Sequence, residues 1–475
     1  MYKVPDQYYF RIHHCRSRFK NDVESVLLFM AEAIAGLPAE EKQNFDSKLD
    51  CQIRTFPGND SVAEKTIKNW RTEISTFFSF IEIHGDQRGP GLRAKELAKS
   101  GDLMEFFKTF LFLFQYPGAH IKARDCLEQI ENGVHFKPAQ YILKIYKIAQ
   151  QNGIEHFGLT KAEACHCIFN DLRATTREEG PLATFKRIQN NKTDGAIYDQ
   201  TGDVVRYAGD ILDYMANANL LREFGGTFYL NKAEGLATTK FIDSKEWFGG
   251  YDSMIANRAG TIEKVRALDE AWNSYANKGL DQTDFATNII GLLEGEQEKL
   301  PGEELDQEAG TKLALEAFLA QLQNNAQFMS SKAIGDVGEG VVISHEKKKL
   351  MTAGFAKLIH LVLKIPTPAA VGYDIQSIED DGSELRKYIE VKTTISRKPV
   401  TVNSAHLTSN EWRTAETVRD RYYLYRLQIT SKELVLFVMQ NPVELYSSHK
   451  IFMSPQEGAY LRFSTQVGKF EPIKI

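Results

Sequence analysis

Two stretches near the C-terminal end, VGYDIQSI (371–378) and YIEVKTT (388–394), decide how this chain is read. Both are short and rich in β-branched and aromatic residues. The polar EDDGSE (379–384), with its Asp-Gly pair, separates them, so the pattern predicts two strands joined as a hairpin. Successive side chains of a strand alternate faces, so Glu390 and Lys392, two apart, share one face. Asp374 lies sixteen residues before Glu390, near the end of the first strand, where it can meet them. Upstream, DVGEGVVISHEKKKLMTAG (336–354) predicts a helix carrying Glu339, and LIHLVLKI (358–365) predicts a strand.

An isolated E-x-K is a weak signal, because alternating charges on a solvated strand produce it by chance. Three features strengthen it here: Asp374 in its own strand, the hairpin, and the helix bearing Glu339. Together they suit phosphodiester hydrolysis, in which a divalent metal offsets charge developing on phosphate oxygens. Mg²⁺ is a hard ion held by carboxylates, water and substrate phosphate. Asp374 and Glu390 are the expected metal ligands, with the Val391 carbonyl as a further one. Lys392 is expected to position or deprotonate the attacking water and to stabilise charge in the transition state; sequence does not set the direction of its pKa.

The longer pattern resembles the PD-(D/E)XK nuclease superfamily, in the DUF3883 branch found at the C-terminus of NO VEIN-like proteins. The residues that carry the resemblance are VGEGVV (337–342), GYDI (372–375), IEVKTT (389–394), LTSNEW (407–412) and DRYYLYRL (420–427), in that order. The resemblance implies a mixed sheet flanked by helices, Mg²⁺ at the strand ends, and Asp374, Glu390 and Lys392 as catalytic residues. It implies Glu339 as a helix-borne acid near the metal. The VGEG segment departs from the family in lacking a clear second acid. Thr408, Asn410 and Glu411 match the family without a role that follows from their chemistry. Ser409 reads as a helix cap and Trp412 as core.

Charge is unevenly spread. The chain of 475 residues has a formal net charge of −5, but residues 294–308 alone hold seven acids and one lysine. Residues 384–426, around the expected site, hold nine Lys/Arg against five Asp/Glu. Local charge, more than total charge, attracts phosphate. No uninterrupted apolar run is long enough to span a membrane. MYKVPDQYYF lacks the charged start and apolar core of a signal peptide. Five cysteines, an odd and scattered set, suit a reducing cytoplasm. Cys165-His166-Cys167 and His13-His14-Cys15 have no second pair at zinc-ligand spacing, so no zinc is expected. No P-loop and no G-x-S-x-G nucleophile motif is present.

Toward the N-terminus the pattern is helical. Residues 1–60 are mostly helix, with an apolar-periodic stretch at Val23–Ala35. Residues 64–81 follow with Trp70, Ile74, Phe77, Phe78 and Ile81, and GDQRGPG (85–91) reads as a loop. DLMEFFKTFLFLF (102–114) is a helix with Asp102 and Glu105 at capping-box spacing and a Phe stripe for the core. Residues 141–150 and LTKAEACHCIFND (159–171), capped by Thr160 with Glu163, are two more helices. A polar, basic stretch with Arg173, Arg177, Lys186, Arg187 and Lys192 comes next. Val204–Ala218 is a third helix, and LLREFGGTFYLN (220–231) is a hairpin turning at Gly225-Gly226. Helices followed by a short hairpin resemble a winged-helix domain, in which one helix enters the DNA major groove and the wing touches backbone.

The expected organisation is α+β. Residues 1–140 form a helical recognition domain, itself winged-helix in one reading, and 141–235 a winged-helix-like one. Residues 236–330 form a helical connector with an acidic loop, read as a solvated linker or as an electrostatic gate. Residues 331–475 form an α/β PD-(D/E)XK nuclease domain. The five basic residues above, with Arg397 and Lys398, are the expected DNA contacts. The whole resembles a type II restriction endonuclease that recognises a sequence and cuts double-stranded DNA with Mg²⁺. One E-x-K site per chain implies a homodimer on DNA, sequential cuts or nicking, and a cognate DNA methyltransferase is the natural companion. The competing expectations are a structure-specific repair nuclease and a non-cleaving DNA- or protein-interaction module.

Overall fold

The computed structural model describes residues 1–12, 19, 22–201, 203–281, 285–287, 289, 292, 300–301, 334–366, 371–455 and 458–474, with the side chains of 203–207 left aside. The acidic segment 294–308, apart from residues 300 and 301, and the His13-His14-Cys15 triplet lie outside these residues. No described helix is long and apolar enough to cross a membrane.

The N-terminal part begins with α1 (Val23–Ala35), β1 (Glu40–Glu41), α2 (Lys42–Thr55) and α3 (Glu64–Thr72), the last running into a π-helical turn, Glu73–Phe77. The expected loop at 85–91 is instead half of a hairpin. β2 (Ile81–His84) pairs antiparallel with β3 (Gln87–Pro90), and β1 closes the sheet in the order β1-β3-β2. Only Gly85 and Asp86 are left to turn the chain, and their Gly-Asp pair hid the strand beginning at Gln87.

After α4 (Leu92–Ser100), α5 (Leu103–Leu113) and α6 (Ala123–Glu131) the same order returns. α7 (Pro138–Gln151), β4 (Gly158–Thr160) and α8 (Lys161–Ala164) are followed by a π-helical turn, Cys165–Phe169. Next come α9 (Leu172–Thr175), α10 (Pro181–Thr193), α11 (Asp203–Asn217), β5 (Leu221–Phe224) and β6 (Thr227–Leu230), with sheet order β4-β6-β5. Both units thus run helix, strand, helices, hairpin, and in both the last strand lies between the other two. α10 falls where a polar stretch is expected; Phe185 and Ile188 bury one of its sides.

Thr160 caps α8 through a complete capping box with Glu163. Asp102 caps α5, accepting the Glu105 N–H at 2.9 Å. The Phe stripe of α5 is core: Phe106, Phe107 and Phe110 are buried in one cluster with Phe77, Phe78 and Phe80. Where a connector is expected, α12 (Gly235–Asp243), α13 (Asp252–Asn257), α14 (Ile262–Arg266) and α15 (Asp269–Ala276) pack back onto the N-terminal part. Phe248, Tyr251, Val265 and Trp272 bury Cys126 and Ile130 of α6.

The C-terminal part opens with α16 (Ile334–Thr352) and β7 (Leu363–Lys364). β7 is shorter than expected, because residues 356–361 form a 3-10 turn. β8 (Ile375–Ile378), β9 (Arg386–Ile395), β10 (Ser404–Thr408), α17 (Ser409–Val418), β11 (Tyr422–Ile429) and β12 (Leu434–Gln440) follow. α18 (Pro442–Ser447), β13 (Phe452–Pro455), β14 (Gly458–Arg462) and β15 (Lys469–Glu471) complete the chain. The main sheet is mixed, ordered β15-β12-β11-β9-β8-β7, with β9 and β11 parallel and the other pairs antiparallel. α16 covers one face, over Ile389, Val391 and Tyr425. α17 covers the other, over Tyr422 and Leu424. β10, β14 and β13 form a second, smaller sheet.

The two parts are joined through α1 and the turn before α5. Glu24 of α1 accepts the Arg397 N–H at 2.8 Å, and Ser25 Oγ accepts the Thr401 N–H at 2.9 Å. Glu32 accepts from Ser404 Oγ at 2.7 Å and from Arg426 Nη1 at 3.5 Å. Ile395, the last residue of β9, donates its N–H to Gly101 O at 3.0 Å. Gly101 has φ of +65°, and a Cβ there would lie 2.3 Å from Thr393 O, so no larger residue fits.

Candidate active site

β8 and β9 form the expected hairpin, with Ile375 opposite Ile389. Asp374 is tied across it at the entrance: its N–H donates to Ile389 O at 3.0 Å, and its Oδ2 accepts the Val391 N–H at 2.9 Å. The even-numbered side chains of β9 face α17. Lys392 Nζ reaches Glu390 Oε1 at 2.6 Å. The structure therefore brings Asp374, Glu390 and Lys392 together as expected from spacing. Val391 takes part through its N–H.

Glu339 projects from α16, the first turns of which press against β9. Gly338 makes this approach possible, since a Cβ there would lie 1.8 Å from Thr393 Oγ1. Glu339 is paired with Lys364 at 2.9 Å and feels the charge of Asp374. It thus borders the cluster, and a lysine from β7 already balances it.

Glu411, which the sequence singles out without a role, is a further member. Glu411 Oε2 accepts from Lys392 Nζ at 3.1 Å while also accepting the Thr408 N–H at 2.9 Å. Thr408, and not Ser409, is the N-cap of α17, and Glu411 completes its capping box. The T-x-x-E spacing at 408–411 carries this signal and specifies a carboxylate at the helix start. Trp412, expected in the core, is half-buried, with its indole N–H donated to Glu416 at 3.0 Å.

The electrostatics follow from burial of several carboxylates around one ammonium. Burial pushes the Glu390 carboxyl well above its ordinary range, and Asp374 and Glu411 add to the effect against Lys392. Burial also raises Asp374, opposed by the Val391 N–H and Lys392. Glu411 is held low despite burial, because Lys392 and the Thr408 N–H favour its anion. Burial works against the charged form of Lys392 too, but Glu390 and Glu411 outweigh it and raise the pKa. The flanking carboxylates set this direction, which sequence alone leaves open. Lys392 is a firmly charged ammonium, suited to orienting water and steadying negative charge.

Among the described residues no three His, Cys, Asp or Glu side chains are arranged to hold a metal by themselves. The donor chemistry nonetheless fits Mg²⁺, which commonly takes one or two carboxylates and completes its shell with water and phosphate. Buried Glu390 beside Asp374 is a repulsive pair that a hard cation would relieve.

The expected DNA contacts are scattered. Arg173 is bound to buried Asp171 through Nε at 2.9 Å and Nη2 at 2.7 Å. Arg187 is shared between Asp171 at 3.4 Å and Glu179 at 2.6 Å. Lys192 pairs with Glu163 at 2.9 Å. These three brace the fold. Lys186 and Lys398 are exposed. Arg397 is engaged with the N-terminal part, its Nη2 3.3 Å from Glu223 of β5. Arg177 lies over the Trp247 ring. From residue 208 on, α11 is buried except for Asp213, so this stretch of the helix presents little surface to a partner. Cys165 and Cys167 are buried within the π-helical turn, and His166 contacts Asp199 O at 2.9 Å.

Residues 2–273 match the family model described as restriction endonuclease BpuJI, N-terminal. Residues 338–439 match the model described as protein NO VEIN, C-terminal, and span α16 to β12. A comparison with curated proteins gave no match. Among solved structures, the chain resembles a crystal structure of pyrene- and phenanthrene-modified DNA in complex with the BpuJ1 endonuclease binding domain. The TM-score is 0.50 at 20% identity, over 57% of this chain and 99% of that one. At that identity the likeness is one of fold.

Proposed function

Because this chain belongs to the family of restriction endonuclease BpuJI N-terminal domains, which its sequence matches over more than half its length, we propose that it is a sequence-recognising endonuclease acting on double-stranded DNA. The two repeated units of helix, strand, helices and hairpin are its reader modules, each of winged-helix type. The C-terminal part is the cutter, a PD-(D/E)XK nuclease domain. The observation that carries the proposal is the convergence of Asp374, Glu390 and Lys392 at the middle of β9, on the chain that bears the reader family's signature.

Asp374 and Glu390 would hold Mg²⁺, which when bound offsets charge on the scissile phosphate and activates water. Lys392, kept charged by its two carboxylates, orients that water and stabilises the developing oxyanion. Glu411 sets the ammonium's position from the start of α17. Glu339 borders the metal side, balanced by Lys364. A double-strand break needs two such sites, so two chains meet on one target, or one chain cuts twice.

The test is digestion of plasmid and phage DNA with Mg²⁺, wild type against Lys392→Ala. Discrete fragments that vanish in the variant and on chelation of the metal are expected. Undiminished cutting by Lys392→Ala would refute the site. Repeating the digest on methylated DNA shows whether modification blocks or licenses cutting.

A further inference from the structure

Between α7, the start of α10 and the segment 244–247 lies a cleft of about 560 Å³, lined entirely by the N-terminal part. Its wall carries Lys137, Lys144, Arg177 and Lys245 against two carboxylates, Glu179 and Glu246. Both carboxylates are engaged elsewhere, Glu179 with Arg187 at 2.6 Å and Glu246 with Lys278 at 2.8 Å. Among the described residues neither Arg177 nor Lys144 has an ion-pair partner.

Arg177 is held in place by rings instead. Its Cζ lies 5.3 Å from the Trp247 ring centroid, and that indole stacks on His135 at 3.6 Å with 12° between planes. The indole N–H is anchored on Asp252 at 2.8 Å. The guanidinium is thus positioned while its N–H donors stay uncommitted. Arg177 also has φ of +66°, a left-handed conformation uncommon outside glycine and concentrated at ligand sites. On the same wall Gly180 and Pro181 open α10, a helix of 13 residues with no side-chain cap at its N-terminus. That end carries the positive pole of the helix dipole. The cations crowd one another: burial and then Arg177 lower Lys144 against Asp243, burial lowers Arg177 against Asp252, and burial pushes Lys137 down to about 7, with Arg177 and Lys278 adding to it against Glu246.

We propose that this cleft is a phosphate-binding site, in which Arg177 and Lys144 grip the phosphate oxygens and the positive end of α10 adds its field, its Ala183 and Thr184 N–H groups being taken up by Gly180 O. The ligand is a phosphate group and not a base, because the one indole in the cleft is already taken up by His135 and Arg177. The phosphate belongs either to a DNA backbone or to a free phosphate compound. Neither source depends on cleavage at Asp374, Glu390 and Lys392.

The experiment uses the full chain and two variants, Arg177→Gly and Lys144→Ala. Glycine suits the left-handed backbone at 177, so the first variant removes the side chain without adding strain. Two readouts are compared: the shift of Tm with inorganic phosphate, and the salt dependence of binding to a duplex of random sequence. If the source is DNA, the slope of log Kobs against log salt falls by about 1 in each variant, uniformly across sequences. If the source is a free phosphate compound, inorganic phosphate raises the Tm of wild type and not of the variants, and the slope is unchanged. Loss of neither effect in both variants overturns the proposal. A chain that binds no DNA but keeps the phosphate-dependent Tm shift would sink the endonuclease reading and leave this one standing.

Discussion

Lys392 is flanked by Glu390 at 2.6 Å and Glu411 at 3.1 Å, and the two carboxylates differ in kind. Glu390 belongs to the strand and is buried; Glu411 belongs to a helix cap and is fixed by a backbone N–H. Removing the ammonium by Lys392→Ala should lower kcat on the order of 10²–10³-fold, the usual loss for one preorganised charge stabiliser. Glu411→Gln keeps a residue that suits the capping box but withdraws one anion from Lys392. A smaller loss in kcat with unchanged KM is expected, and a double-mutant cycle with Lys392→Ala should show that most of it depends on the lysine. Equal, additive losses would place Glu411 outside the site. This is also the scale at which the sequence was most and least transparent. Asp374, Glu390 and Lys392 were legible because strand periodicity and one turn fix their relation. Glu411 had no legible role, because nothing in a T-x-x-E spacing says which side chain the carboxylate will meet across the fold.

At the scale of elements, α16 and β9 are held together by a buried charge network on the sheet face opposite Lys392. Glu346 accepts from Lys387 Nζ, Ser377 Oγ and Tyr425 OH, each at 2.8 Å. Lys387, Lys349 and these donors hold its carboxyl below the usual range despite burial. Glu346→Ala would strand a buried ammonium, for which a loss of roughly 3–5 kcal/mol is expected, read as a fall in Tm. Helix α1 offers a pH-dependent counterpart. Burial pushes the Glu24 carboxyl from 4.5 to about 7, against the Arg397 N–H and the charges of Arg397 and Lys398. The native state therefore holds a proton that the unfolded chain has released between those two values. Glu24 favours folding below about 4.5, and that contribution, about 3 kcal/mol for such a shift, is lost as pH rises to 7. Tm of wild type relative to Glu24→Gln should fall from pH 5 to pH 8; a constant difference would contradict the assignment. The amphipathic runs of most helices could be read directly. α1 could not be placed, because its partners Arg397, Thr401 and Arg426 lie some 370 to 390 residues away. The wing-like β3 was concealed by the Gly and Pro that bound it.

Across the whole molecule, the N-terminal and C-terminal parts meet at β9 itself. β9 carries Glu390 and Lys392, and three residues on its end bonds to Gly101. In register beside Lys392 on β11 is Arg426, and Arg426 reaches Glu32 of α1. Gly101→Ala would meet Thr393 O at 2.3 Å and should force the two parts to separate. Faster hydrogen exchange at the Ile395 amide is expected, with little change at the amides of β11 and β12. Unaltered protection of Ile395 would show that the contact is peripheral. The segment read as a connector illustrates why this scale was hardest to foresee. Its polar helices look like a linker in isolation, and only the packing of Phe248, Tyr251 and Trp272 on α6 shows that they belong to a core.

The polar seam along α1 has a consequence for anyone wishing to re-target such a protein. Exchange of modules works where a hinge separates them and each half presents water-compatible surface. Here a transplanted C-terminal half would carry Arg426 into new surroundings, and the half left behind would keep Glu24 and Glu32, both nearly inaccessible, without their partners. A productive chimera must therefore inherit α1 and the turn at Gly101 along with the C-terminal part, so the natural cut point for recombination lies just beyond Gly101 and not at the boundary between the two matched families.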